Sequence, residues 1–233
     1  MKIAIMQPYF MPYIGYFQLL AAVDKFVIYD EIQYSKQGWI NRNRILQNGK
    51  DAFISLPLKK ASDYLFVNQR FLAEGWQRDK VKLLNRLAES YRKAPYFDDA
   101  FPLIREIMAC RENNLFGFIL NSLTSVLSYL DIKTSLVISS SLPDIQALKA
   151  QDKVIDICRQ LQATQYINPI GGLELYDKNH FGEHGISLNF LQTDPIRYRQ
   201  FGQGFVPCLS IIDVLMFNSA QEIRDLLPRY RLL

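Results

Sequence analysis

A strand, a proline-gated loop, a short aromatic helix and a second strand succeed one another between Lys2 and Asp30. That order constrains the fold more than any other stretch of the chain. Lys2-Ile3-Ala4-Ile5-Met6 is a short apolar run with β-branched residues, which predicts a strand buried on both faces. Gln7-Pro8 ends it, because proline removes a ladder donor and restricts the residue before it. Pro12 suits the first turn of the next helix, where its fixed φ and missing N–H cost nothing. Tyr13 to Val23 carries Phe17, Leu20 and Ala21 at helical spacing, and Lys25 to Tyr29 is a second apolar strand closed by Asp30. Such a βαβ unit favours a parallel sheet. Ligands of open parallel sheets sit beyond the carboxyl ends of strands and near helix N-termini, so the Gln7 to Tyr16 loop is the first candidate site.

The rest of the chain extends this pattern. Gln47-Asn48-Gly49-Lys50 lies between the strand-like runs Trp39 to Leu46 and Asp51 to Leu58, a strong hairpin signal because both turn residues need positive φ. Alternation places Trp39, Asn41, Asn43 and Ile45 on one face and Ile40, Arg42, Arg44 and Leu46 on the other, so the hairpin is expected to project polar groups into a cleft or solvent. From Gly75 to Leu130 the period is helical: one stripe of Val81, Leu84, Ala88 and Tyr91 widened by Leu83 and Leu87, a second of Ile104 and Met108, a third from Leu115 to Leu130. Asp98 and Asn113 or Asn114 are expected N-caps. Leu136 to Ser139, a helix from about Ala147 to Leu161, and Gln165 to Asn168 form a second strand–helix–strand unit ending in Pro169-Ile170-Gly171-Gly172. Ser187 to Leu191 is a last strand, and helices come after it at Ser210 to Phe217 and near Gln221 to Leu227. The expectation is an α/β fold with a mostly parallel, Rossmann-like sheet, a β-hairpin and a helical insertion near residues 75–131, in one domain spanning 1–233.

Composition narrows the partners. A formal net charge of +4 suits an anionic small molecule, a nucleotide or nucleotide sugar, and falls short of the concentrated basic face of a nucleic-acid binder. A carrier protein or a second copy of the chain are further candidate partners; the residues name no cofactor. No run reaches the roughly eighteen apolar residues of a membrane span, because Asn121, Ser122, Thr124, Ser125 and Ser128 interrupt the best one. Cys110, Cys158 and Cys208 are widely spaced, no CxxC pair exists and no export signal is expected before them. Reduced, buried thiols in a cytoplasmic protein are expected.

Three clusters carry the candidate chemistry. His180 and His184 fall in an expected loop around Phe181-Gly182-Glu183 and read as surface residues, so no metal site is expected. In the first cluster, Gln7, Tyr9, Tyr13 and Tyr16 surround Gly15, whose missing side chain lets a ligand approach free N–H groups at the helix start. The tyrosines either stack on a ligand ring or simply cover the sheet. The second holds Asp30, the candidate general base, with Gln33, Trp39, Asn41, Arg42, Asn43 and Arg44; the arginines either grip phosphate or form ion pairs within a solvated hairpin. The third is Asn168, Gly171, Gly172, Glu174 and Tyr176, at a later strand end. A parallel sheet brings all three to one edge, which argues for one cleft.

Class I synthetases and related nucleotidyltransferases begin their first helix with His-x-Gly-His, and Tyr13-Ile14-Gly15-Tyr16 occupies the corresponding place without the imidazoles. A closer resemblance covers nearly the whole chain. Met6-Gln7-Pro8-Tyr9-Phe10-x-Pro12-Tyr13-Ile14-Gly15-Tyr16-Phe17, Val27-Ile28-Tyr29-Asp30-x-x-Gln33-Tyr34 and Trp39-x-Asn41-Arg42-Asn43-Arg44-Ile45 resemble the WbqC-like family. Tyr166-Ile167-Asn168-x-x-Gly171-Gly172-x-Glu174-Leu175-Tyr176 and Leu209-Ser210-Ile211-Ile212-Asp213 fit it too. The resemblance implies a bacterial cytoplasmic protein of O-antigen or other surface-polysaccharide synthesis. By it, the expected activity is a transferase placing a small acyl or aminoacyl group on a nucleotide-activated sugar. An ATP-using nucleotidyltransferase or ligase and a non-catalytic nucleotide-sugar binder stay open beside it.

Overall fold

The structure is a computed structural model and describes residues 1–143, 148, 150–202 and 204–233. Eight strands and eight α-helices make up the described residues. The first half holds β1 (Lys2–Met6), α1 (Ile14–Ala21), β2 (Lys25–Ile28), β3 (Arg42–Gln47), β4 (Lys50–Ser55), α2 (Trp76–Tyr91), α3 (Phe97–Ala109) and α4 (Leu115–Tyr129). The second holds β5 (Ser135–Ile138), α5 (Ala150–Gln160), β6 (Gln165–Pro169), α6 (Lys178–Glu183), β7 (Ser187–Thr193), α7 (Ile211–Phe217), α8 (Ala220–Leu226) and β8 (Tyr230–Leu232). The start expected for α5, Ala147, lies outside the described residues.

Six strands form one sheet in the order β5-β2-β1-β6-β7-β8. All neighbours are parallel except β8, which runs antiparallel to β7. Side-chain alternation along the strands explains the two cores. Ala4, Phe26, Ile28, Ile167 and Leu191 face one side and pack with α1, with α2 to α4 and with α7. Ile3, Ile5, Val27, Tyr166, Leu188 and Phe190 face the other and pack with α5 and with Phe181 of α6. The chain steps one way from β1 through β2 to β5, then returns across the sheet to β6 and continues to β7. Right-handed crossovers require helices to change face when the direction reverses, and they do. The reversal leaves a crevice between the carboxyl ends of β1 and β6, the position at which doubly wound sheets bind ligands.

The hairpin β3–β4 stands apart from this sheet, with Asn48 and Gly49 at φ of 51° and 76° as its turn requires. It is shorter than expected, so Trp39, Ile40 and Asn41 precede it in irregular backbone. In α2 the inward stripe is Trp76, Leu83, Leu87 and Tyr91; Val81, expected inside, is 52% exposed. The α3 and α4 stripes bury as expected, and Asn114 caps α4 by accepting from the Gly117 N–H. Asp98 lies in the first turn of α3, not at its cap, and Pro12 precedes the cap of α1, Tyr13, so it lies outside the first turn. The stretch around His180, expected as loop, is α6, with Phe181 turned into the core.

Candidate functional site

The loop between β1 and α1 is fixed before any ligand arrives. The Phe10 N–H donates to Ile40 O (3.0 Å), and Asn43 Nδ2 donates to both Phe10 O (3.1 Å) and Met11 O (2.8 Å). Ser210 Oγ donates to Met11 O (2.7 Å), the Ile211 N–H to Pro12 O (2.8 Å), and Tyr16 Oη to Gln7 O (2.9 Å). Met11 sits at φ 44°, a left-handed conformation that costs a residue with a Cβ about 1–2 kcal/mol and persists because these clamps over-determine it.

Two basins flank the carboxyl ends of β1 and β6. One, of about 590 Å³, lies toward β2 and α5 and is lined by Gln7, Tyr29, Lys153, Asn168, Gly172 and Tyr176 among others. The second, of about 700 Å³, lies toward α1 and the end of β7, with Tyr13, Gly15, Thr193, Arg197, Tyr198 and Cys208 in its wall. Both volumes are in the range of small-molecule sites. Met6, Tyr9, Pro169 and Gly171 line both basins, so these four residues form the saddle between them.

Among the described residues, each basin is lined by one cationic side chain. Lys153, 9% exposed, rises from the first turns of α5 and lies with Nζ 4.8 Å from the centre of the Tyr29 ring, without an acidic partner among the described residues. Arg197, in the loop after β7, is exposed at the rim of the second basin. Burial raises the phenols of Tyr9, Tyr13 and Tyr176 above their ordinary 10.0, so they meet a ligand as neutral hydrogen-bond donors. The Tyr166 hydroxyl donates to Asn168 Oδ1 (3.1 Å) and thereby orients the amide at the end of β6. Gly172 has no room for a side chain, because a Cβ would collide with Asn168 Nδ2.

The three sequence clusters converge only in part. Gln7, Tyr9, Asn168, Gly171, Gly172 and Tyr176 line the first basin, and Tyr13, Gly15 and Tyr16 the second. What lies against Gly15, however, is the Tyr13 ring: a Cβ there would come within 2.7 Å of Tyr13 Oη. Tyr16 is 2% exposed and packs on Phe26 and Tyr9, which makes it chiefly a core residue. From the hairpin region, Trp39, Asn43 and Arg44 join Tyr9, Tyr13 and Cys208 around a niche of about 240 Å³. Arg44 there pairs with Asp51 (3.1 Å) and lies 5.5 Å from the Trp39 ring centre.

Other candidates are bonded within the scaffold. Arg42 donates to Gly38 O and Gln37 O and lies over the Phe53 ring, while Asn41 donates to Leu56 O and accepts from Tyr34 Oη. Gln33 is exposed, bridges to Phe66 and lines neither basin. Asp30, the candidate general base, sits inside a hydrogen-bond network. Its side chain is 1% exposed and accepts four hydrogen bonds: Oδ1 from Ser139 Oγ (2.8 Å) and Ser140 N (3.0 Å), Oδ2 from Asn68 Nδ2 (2.7 Å) and Ser140 Oγ (2.7 Å). A carboxylate so engaged ties the ends of β2 and β5 to the Val67–Gln69 turn, and its acceptor positions are taken by the scaffold. It lines neither basin.

Sequence reasoning misses Lys153, Tyr29, Arg197 and the exposure of Cys208. Lys153 is a polar position in the amphipathic helix α5, which reads as solvent-facing until the helix is laid over the sheet edge. Cys208, expected to be buried, is exposed, at φ 55°. His180 Nε2 lies 2.9 Å from Asp152 Oδ1, which with Glu183 raises its pKa above the ordinary 6.5 and ties α6 to α5.

Against known families, the WbqC-like protein family matches residues 7–225. A Mycobacterium tuberculosis protein described as "uncharacterized protein Rv1507c" is 32% identical over 229 residues, which cover 97% of each chain. No solved structure matches the chain. No helix among the described residues is long and apolar enough to cross a membrane.

Proposed function

The chain belongs to the WbqC-like protein family, and from that premise we propose that it is a cytosolic transferase of bacterial surface-polysaccharide precursor synthesis. In this reading it places a small acyl or aminoacyl group on a nucleotide-activated sugar. The observation that carries it is the pair of basins meeting over Tyr9 and Gly171 at the switch point of the sheet. Group transfer needs two substrates held with their reacting atoms in contact, and two compartments with a common wall supply that geometry. The first basin has the features of a nucleotide-sugar site. Tyr29 and Tyr176 offer ring faces, Lys153 offers a positive charge for the diphosphate, and the oriented Asn168 amide offers polar discrimination. The second basin, with Arg197 in its wall, suits an anionic activated donor. Asp30 is a positioning residue in this scheme, holding the loops around the first basin.

A thermal-shift and calorimetric panel tests it, with UDP- and dTDP-sugars, acyl-CoA, and ATP with magnesium. A nucleotide sugar is expected to raise the midpoint with concentration, and Lys153→Ala to weaken its binding by about tenfold, the loss of one charge-assisted contact. Arg197→Ala should leave that affinity unchanged and weaken the donor. Stabilisation by ATP alone would replace the transferase with the nucleotidyltransferase or ligase; no response to any nucleotide sugar would refute the reading.

A further inference from the structure

A third cavity, of about 730 Å³, shares no lining residue with either basin of the crevice. It is walled by the loop after β2, by the loop after β4, and by Arg70 just beyond the Val67–Gln69 turn. Arg70 is 4% exposed, yet no carboxylate lies at ion-pair distance from it among the described residues. Its Nη2 donates to Ser62 O (2.8 Å), its guanidinium lies 4.4 Å from the centre of the Tyr34 ring, and its Nε has no hydrogen-bond partner. A guanidinium taken out of water without a counter-charge is costly, and buried arginines ordinarily face a carboxylate or bind an oxyanion. The other charges of the cavity continue the imbalance. Lys36, Lys59 and Lys60 stand around it against one carboxylate, Asp63, which is held by Lys36 at 3.1 Å. Lys59 reaches only a distant, exposed Glu74 at 3.8 Å, and Lys60 is exposed with no ion pair among the described residues.

A purely structural arginine would explain the Ser62 bond and the Tyr34 stacking, and both are also made by neutral side chains at far lower cost. It would not explain a buried cation with an unpartnered Nε beside two loosely held lysines. We propose that this cavity is a binding site for a phosphate-class oxyanion carried by a small molecule, with Arg70 at its base and Lys59 and Lys60 at its mouth. Arg70 would meet the oxyanion with the terminal guanidinium N–H groups that Ser62 O leaves free while Tyr34 holds the plane, and the lysines would neutralise the remaining charge. The site is independent of the transfer reaction proposed for the crevice.

The test follows the Arg70 side-chain Nε–H resonance in 15N-labelled protein, identified by its absence from Arg70→Lys. Inorganic pyrophosphate and, separately, inorganic phosphate are titrated at low ionic strength. The resonance is expected to move saturably with pyrophosphate and to saturate at higher concentration with phosphate. Equal affinities would limit the ligand to a single phosphoryl group, as in a monoester, and would still support the site. Lys60→Ala, an exposed change that leaves the fold alone, should weaken binding by about threefold, and Lys59→Ala/Lys60→Ala by more. Lys153→Ala should leave this titration unchanged, which separates the site from the crevice. An Arg70 resonance that stays still at millimolar pyrophosphate, or binding that Lys153→Ala abolishes and Lys60→Ala does not affect, overturns the proposal.

Discussion

Replacing Asp30 by asparagine turns one carboxylate oxygen into an amide nitrogen and leaves the shape unchanged. The four donors around the native group decide the outcome. With the new nitrogen in the Oδ1 position it would face the Ser140 N–H, which cannot turn away. With the nitrogen in the Oδ2 position, the Ser140 hydroxyl can rotate to accept, and Asn68 can flip its amide, because its own Oδ1 is buried without a partner. The substituted amide would therefore keep its contacts in the second orientation and lose only their charge assistance, a cost of about 1–2 kcal/mol after relief of the buried charge. Asp30→Ala offers no acceptor at all. Ser139 Oγ is buried and the Ser140 N–H part-buried, and two donors stranded at about 1–3 kcal/mol each cost about 4 kcal/mol together.

Equilibrium urea unfolding reads this directly. At a slope of about 3 kcal/mol per molar, suited to a chain of this size, the midpoint should fall by about 0.5 M for Asp30→Asn and about 1.3 M for Asp30→Ala. Adding Asn68→Ala to Asp30→Ala should cost less than the sum of the two single changes, because the bond between them is already lost. A general base predicts the opposite pattern: turnover abolished in both variants with stability held or improved, since groups kept for chemistry are often poorly placed for stability. Midpoints within about 0.2 M of the native protein for Asp30→Ala would refute the strut and return Asp30 to the mechanism.

Three other parts of the molecule give further expected outcomes. Burial raises the Asp213 carboxyl above its ordinary 3.8, partly offset by donation from Tyr198, Gln200 and Tyr91. The folded state then binds this proton more tightly than the unfolded chain, so the contribution to stability falls as pH rises from 3.8 through the higher folded value. The stability of the native protein relative to Asp213→Asn should decline over that window in urea titrations; a rise would contradict the assignment. Gly15→Ala forces the Tyr13 ring off the start of α1 and should destabilise by about 1–2 kcal/mol, whereas the same change in a Tyr13→Ala background should be neutral or stabilising. Loss of stability in both backgrounds would mean that something other than the ring fills the space. Ellman's reagent should modify Cys208 rapidly in the native protein and Cys158, whose thiol burial pushes up to about 12, only on unfolding; equal rates would disprove the difference in access.

Legibility in the sequence tracks how local each cause is. The βαβ start is readable because β1 and β2 are buried on both faces and α1 repeats within its own length, and the hairpin because Asn48-Gly49 dictates its own turn. By contrast β8 is three residues long and exists through pairing with β7, so Tyr230-Arg231-Leu232 has no strand pattern of its own. The six residues of α6 bury one side chain, too few for a period. In α2 the expected stripe holds at Leu83, Leu87 and Tyr91 and fails at Val81, because Val81 and Leu83 are both apolar and only packing against the neighbouring elements chooses between them.

The candidate site divides along the same line. Parallel strands end on one edge, so Tyr9 and Gly171 can be assigned to a common cleft from sequence. Which ends are adjacent is a property of strand order. That order pairs Lys2 with Gln165 across most of the chain, and so brings Met6 and Pro169 together in the wall of both basins. Asp30 reads as catalytic because a carboxylate at a strand end commonly is, and its four donors are invisible in sequence: Asn68 lies 38 residues away and Ser139 lies 109. Once those donors are in place the charge holds three loops together. Among the described residues, the cationic group facing the first basin is then Lys153, which no pattern in the sequence singles out. If the crevice binds a diphosphate, Lys153→Ala must weaken it while Asp30→Asn spares it at temperatures where both variants are folded, and the two effects exchanged would return the chemistry to Asp30.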